Sequence, residues 1–127
     1  MTKSESRARN ILKKEYPNAY IWKVADYKQI GNAGNKGLPD YLVISEGKYI
    51  WFEVKMIKSL KVFNLNEINE NQWAEFCHMF TACADIKILI ILKNYKHYCI
   101  DFQDCLKFKE NAEKSLDLRN YSINYIP

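Results

Sequence analysis

The chain has 127 residues, 48% hydrophobic and 27% charged, which suits one folded domain spanning 1–127 and excludes the weakly hydrophobic compositions that stay disordered. Its formal net charge of +4 and pI near 8.8 suit a polyanionic partner without requiring one. No apolar run reaches the roughly 18 residues of a membrane span, and Met1-Thr2-Lys3-Ser4-Glu5 lacks the apolar core of a leader peptide, so a cytoplasmic protein with no membrane partner is expected.

Thr2-Lys3-Ser4-Glu5 can cap a helix, and Ala8, Ile11, Leu12 and Tyr16 recur at helical spacing until Pro17. A helix over roughly 4–15 is predicted, with Glu5 and Glu15 inside its apolar stripe and Lys3, Arg7 and Lys14 gathered on the opposite face. Tyr20 to Ala25 alternates and is β-prone, so it reads as a strand. Three of the four glycines, Gly31, Gly34 and Gly37, then fall in one loop that leaves room for a phosphate to approach. The loop is not a Walker A motif, because Leu38 and not Lys follows Gly37, so no nucleotide cofactor is expected.

Asp40 to Ser45 and Tyr49 to Met56 read as two strands joined by the turn Glu46-Gly47-Lys48. Asn69-Glu70-Asn71-Gln72 has the residue types of a helix start, and Trp73, Phe76, Cys77 and Phe80 mark the apolar face of a helix over roughly 70–83. Ile86 to Lys93 is an apolar run fit for a strand covered on both faces, with Tyr98 to Phe102 pairing near it in a mixed sheet. The tail from Asp104 carries one helix and a short end strand. Cys77, Cys83, Cys99 and Cys105 match no zinc-ligand spacing and read as reduced, mostly buried thiols, while His78 and His97 read as structural or surface residues.

Alternation along the second hairpin strand puts Glu53 and Lys55 on one face, and the turn near Gly47 returns Asp40 to the side of Glu53. A charged pair inside Tyr-Ile-Trp-Phe-Glu-Val-Lys-Met is costly unless something compensates it. A divalent cation would do so, since carboxylate oxygens are the hard ligands Mg²⁺ prefers and it keeps open positions for phosphate oxygens. The bland alternative is a buried ion pair with Lys55 and a turn cap at Asp40.

Gly37-Leu38-Pro39-Asp40, then Glu53-Val54-Lys55, then Ile68-Asn69-Glu70-Asn71-Gln72 together resemble the PD-(D/E)XK nuclease superfamily. Within it they look most like the VRR-NUC group, with archaeal-type Holliday junction resolvases as near relatives. The resemblance implies an α/β, restriction-endonuclease-like core, a central mixed β-sheet flanked by helices, metal-dependent hydrolysis of DNA phosphodiesters and often a homodimer. It implies that Asp40, Glu53 and the Val54 carbonyl bind Mg²⁺, with Mn²⁺ able to substitute, and that Lys55 orients the attacking water. Glu5 is similar to a helix glutamate beside the metal, although it can also complete a capping box with Thr2. Gln72 either orients water or phosphate, or caps its helix. Lys23, Lys36 and the face of Lys3, Arg7 and Lys14 are candidate DNA-backbone contacts. The lysine-, asparagine- and isoleucine-rich composition points to a low-GC bacterial or phage source. The rival expectation is a catalytically silent nuclease-fold binding protein, such as a phage-borne inhibitor or DNA-binding subunit.

Overall fold

Helical spacing of Ala8, Ile11 and Leu12 makes the first element a helix, α1 (Lys3–Glu15), whose apolar stripe needs a sheet to cover it. The computed structural model describes residues 3–24 and 37–120, and the side chains of all of these except Lys3 and Ser4. Strands β1 (Tyr20–Lys23), β2 (Tyr41–Ser45) and β3 (Lys48–Ile57) follow. A two-residue turn joins β2 to β3, with Glu46 at φ 52° and Gly47 at φ 79°. Two positive φ values give the turn that matches strand twist, and they set the pairing of Tyr41 with Phe52 and Ser45 with Lys48.

Beyond β3 come β4 (Val62–Asn64), a 3₁₀ turn over Leu65–Glu67, α2 (Glu70–Thr81), β5 (Asp85–Leu92), β6 (His97–Asp101), α3 (Phe102–Glu110), β7 (Ser115–Asp117) and a second 3₁₀ turn over Leu118–Asn120. The main sheet runs β1-β2-β3-β5-β6, and only β3 and β5 are parallel in it. β4 and β7 form a small antiparallel ribbon of their own. The architecture is therefore α/β, with a central mixed sheet flanked by helices.

Strand alternation divides the core between the two faces. Ala8, Ile11 and Leu12 of α1 pack on Tyr41, Val43, Phe52, Leu89 and Ile91. The opposite face carries Ile86, Ile88 and Ile90 against Trp73 and Phe76 of α2 and Phe102 of α3. Phe102 is fully buried, and its ring lies 5.3 Å from Trp73, 5.6 Å from Phe76 and 6.1 Å from Phe80. This aromatic knot seats α2 on the sheet.

Among the described residues, that second face is covered over β5 and β6 but not over β1 and β2. The register aligns Tyr20, Ile44 and Tyr49 in one row and Trp22, Leu42 and Trp51 in the next. Tyr20, Trp22 and Tyr49 are 64%, 46% and 61% exposed.

Several elements differ from their expected bounds. The first strand stops at Lys23, and Ala25 lies outside the described residues, as do Gly31, Gly34 and Lys36 of the glycine loop. α2 ends at Thr81 because Cys83 takes φ 67° and its N–H and that of Ala84 return to the carbonyls of Phe80 and Met79, the two bonds of a Schellman stop. Phe102 opens α3 instead of closing a strand. The short end strand expected in the tail is β7, whereas β4 and its pairing with β7 were not foreseen. All four cysteines are free, but Cys105 alone is buried, and its left-handed backbone leaves Cys83 exposed. Burial pushes the Cys99 and Cys105 thiols up to about 11 and about 12, so both stay protonated. His78 is exposed, and His97 is buried with its pKa lowered by burial and then by Arg7.

Candidate active site

The hairpin register brings the two candidate carboxylates, Asp40 and Glu53, together. Tyr41 pairs with Phe52, so the next residues outward are Asp40 and Glu53. The backbone ladder continues past the strand, with Val24 N–H donating to the Asp40 carbonyl at 2.8 Å. Asp40 Oδ2 accepts from Val54 N–H at 2.8 Å. In extended backbone the N–H and C=O of one residue point to the same edge, so the Val54 carbonyl faces the Asp40 side too. Lys23 Nζ lies 3.6 Å from Asp40 Oδ1 and 5.1 Å above the Tyr41 ring.

Glu53 is only 3% exposed. Its Oε2 accepts from Gln72 Nε2 at 2.7 Å and lies 3.2 Å from Lys55 Nζ, whereas its buried Oε1 has no hydrogen-bond partner among the described residues. Burial, then the nearby Asp40 charge, pushes its carboxyl up to about 8, and Lys55 and Gln72 offset this only in part. A buried acid with one oxygen left without a donor is held at a cost.

Gln72 links three groups. Its Oε1 accepts from Lys55 Nζ at 3.0 Å and from Asn69 N–H at 3.1 Å, while its own N–H donates to Asn69 Oδ1 at 2.9 Å. The two expected roles therefore coexist: the capping box is complete, and the same amide spans Lys55 and Glu53.

Glu5 of α1 shares a cleft of about 210 Å³ with Lys23, Asp40, Tyr41, Val54 and Met56. Its inward position agrees with the helical stripe. Among the described residues, no group of three His, Cys, Asp or Glu forms a ready-made metal cluster.

The basic face of α1 is not a single patch. The Arg7 guanidinium donates to the Tyr95 carbonyl and lies 5.8 Å from the Tyr95 ring, tying α1 to the β5–β6 turn. Lys14 is exposed near the far end of the helix, roughly 13 Å along the axis from Glu5. The Lys3 side chain and all of Lys36 lie outside the described residues.

Two further features were missed in the sequence. Lys58 is exposed just beyond β3 and continues the parity of Val54 and Met56, a period-2 signal present in the chain. Gly37, expected to leave room for phosphate, instead has φ +89° and packs so closely on α2 that a Cβ there would stand 2.8 Å from the Asn71 carbonyl oxygen.

The donor set fits a divalent cation. Two facing carboxylates, one with a buried oxygen lacking a donor, and a main-chain carbonyl on the same side are the hard oxygen ligands that Mg²⁺ takes.

A mixed sheet flanked by helices, with a hairpin that pairs Asp40 with Glu53 beside Lys55, defines a restriction-endonuclease-like fold. The family model of Recombination protein U (RecU) matches residues 3–126, and the chain belongs to that family of Holliday junction resolvases, nucleases that hydrolyse DNA phosphodiesters. The fold is also similar to that of Archaeoglobus fulgidus Hjc, a Holliday junction resolvase from an archaeal hyperthermophile, with a TM-score of 0.57 and 21% identity over 94% of this chain and 88% of that one. The family shown is thus RecU, a resolvase family akin to the near relatives that the sequence resembles. No curated protein matches the chain. No helix is long and apolar enough to cross a membrane among the described residues.

Proposed function

We propose that the protein is a divalent-metal-dependent endonuclease that incises branched DNA, with a four-way junction as its preferred substrate. The observation that carries this is the Glu53 carboxyl, buried with Oε1 unpartnered opposite Asp40 and beside Lys55. A silent binding protein would hold this group at a cost with no return, so catalysis is favoured over the binding-module alternative.

Asp40, Glu53 and the Val54 carbonyl would hold Mg²⁺, or Mn²⁺ in its place. When bound, the metal supplies Lewis-acid polarisation of the phosphodiester and a more acidic water. Lys55, fixed at 3.0 Å from Gln72 Oε1 and 3.2 Å from Glu53 Oε2, orients the attacking water and offsets charge developing on the phosphate oxygens. Gln72 keeps that ammonium and the Glu53 carboxylate in register. Glu5, which lines the same cleft as Asp40, would support the metal site. Lys23, Lys36, Lys14 and Lys3 contact the DNA backbone. Acting on DNA, the protein would work in the cytoplasm of a bacterial cell or phage-infected host.

Two incisions across a junction need two sites. We assign the second to another copy of this chain, docked through the Tyr20, Trp22, Leu42, Ile44, Tyr49 and Trp51 face. These six residues carry no charge, which disfavours a phosphate partner, and the Trp22 row lies one rung from Asp40 and Glu53.

The test is incubation with Mg²⁺ and a panel of four-way junction, flap, linear duplex, single-stranded DNA and RNA. Incision of the junction well before the linear duplex is expected. Equal cutting of both, or none of either, would overturn the reading.

A further inference from the structure

The nuclease reading leaves open what holds Asp40 and the Glu53–Lys55 pair at a fixed spacing, since the first lies on the segment before β2 and the others on β3. Both are touched by the first turn of α2. From one side, Gln72 reaches Glu53 and Lys55. Both donors at its Oε1, the Lys55 ammonium and the Asn69 main-chain N–H, can only donate. A flipped amide would set –NH₂ against both of them and the carbonyl against Glu53. From the other side, Gly37 seats the Gly37-Leu38-Pro39-Asp40 segment on the Asn71 carbonyl and near Glu75 Cβ, with no room for a side chain. Asn71 and Gln72 are sequence neighbours, so the two contacts share one turn of helix.

We propose that the first turn of α2 is the positioning element of the active site, with Asn69 and Gly37 as positioning residues: the Asn69 main-chain N–H fixes Gln72 between Lys55 and Glu53, and Gly37 docks the Asp40 segment on Asn71. This rests on the nuclease reading for its effect on rate. The contacts themselves do not depend on that reading.

Backbone geometry permits a clean separation of capping from positioning. Asn69 has φ −72° and ψ 169°, and Ile68 before it has φ −88° and ψ 110°; these angles accept proline and a residue preceding proline. Asn69→Ala removes the side-chain cap but keeps the N–H. Asn69→Pro removes both. Gly37→Ala and Gly47→Ala form a second pair, because both positions have positive φ, but a Cβ at Gly47 meets nothing within 4 Å.

The experiment measures single-turnover junction cleavage and junction affinity for these four variants, with the hydrogen exchange of the Gln72 side-chain amide read by NMR. All assays are run well below each melting temperature. Asn69→Ala and Gly47→Ala are expected within about 3-fold of wild type in the cleavage step. Asn69→Pro and Gly37→Ala should lose 10-fold or more there with affinity unchanged, and Asn69→Pro should speed exchange of the Gln72 amide. Equal rates within each pair, or slow Gln72 exchange in Asn69→Pro, would overturn the proposal. If wild type cuts no substrate, the nuclease reading fails by itself, and the exchange measurement still decides whether Asn69 holds Gln72.

Discussion

Gln72 donates to one oxygen of Glu53 at 2.7 Å while the other oxygen of that buried carboxyl receives nothing. Replacing the acid with its amide keeps the shape and removes the ligand. Glu53→Gln should therefore lose tight Mg²⁺ binding and about 10²-fold or more in cleavage, with junction binding retained or improved in the absence of metal. Calorimetric titration of Mg²⁺ beside a gel-shift assay checks this, and unchanged metal affinity would remove Glu53 from the ligand set.

Lys55→Ala should separate chemistry from metal binding. Lys55 pulls the Glu53 carboxyl downward, so its loss leaves that group still harder to ionise. Metal affinity should drop modestly at neutral pH and recover near pH 9, whereas turnover should stay low at both. Recovery of turnover along with affinity would show that Lys55 acts only through Glu53.

The Glu53 carboxyl sits at about 8 against an ordinary value of 4.5. A group raised in the folded state stabilises it fully below the unfolded value, and that contribution is lost as pH rises through the folded one. The metal-free protein should therefore lose stability between roughly pH 4.5 and 8 from this group, and Glu53→Gln should flatten that part of the profile. Because metal takes the ionised form, binding at pH 7 should release close to one proton. Titration in buffers of different ionisation enthalpy reads that number, and zero release would contradict the assignment.

Among the basic residues the expected effects divide. Lys23→Ala should weaken binding to all DNA sequences alike and reduce the salt slope by about 1. Arg7→Ala should leave that slope intact and lower stability by about 1 kcal/mol, because its guanidinium is committed to Tyr95. Melting curves beside salt-dependent affinities distinguish the two.

An uncharged sheet face should behave as an interface. Trp22→Asp with Tyr49→Asp should give monomers by sedimentation at concentrations where wild type is dimeric, and paired junction cuts should become single nicks. A wild-type monomer at all concentrations would remove the dimer.

Much of this was legible in the chain because its signals were local. Alternation in β3 gave the shared face of Glu53 and Lys55, and the short Glu46-Gly47 turn fixed the register that brings Asp40 opposite. The end of α2 was not legible because Cys83, not glycine, occupies the left-handed stop, and Ala112 does the same after α3. β4 and β7 are three residues each and become strands only by pairing with one another, a long-range contact that no local pattern announces. Arg7 looked like part of a basic face because a helical wheel cannot foresee the turn at Tyr95. Gly37 looked like space for phosphate, whereas the space is taken by Asn71.

On the function proposed above, the Asp40–Glu53 pair makes this fold a metal-dependent junction endonuclease. The most direct test of this is single-turnover incision of an end-labelled four-way junction in Mg²⁺ by wild type and by Glu53→Gln, with binding measured on the same samples. Wild type should make paired incisions, and the variant should bind without incision. Binding without incision by wild type in both Mg²⁺ and Mn²⁺, or incision by Glu53→Gln at the wild-type rate, would contradict this reading.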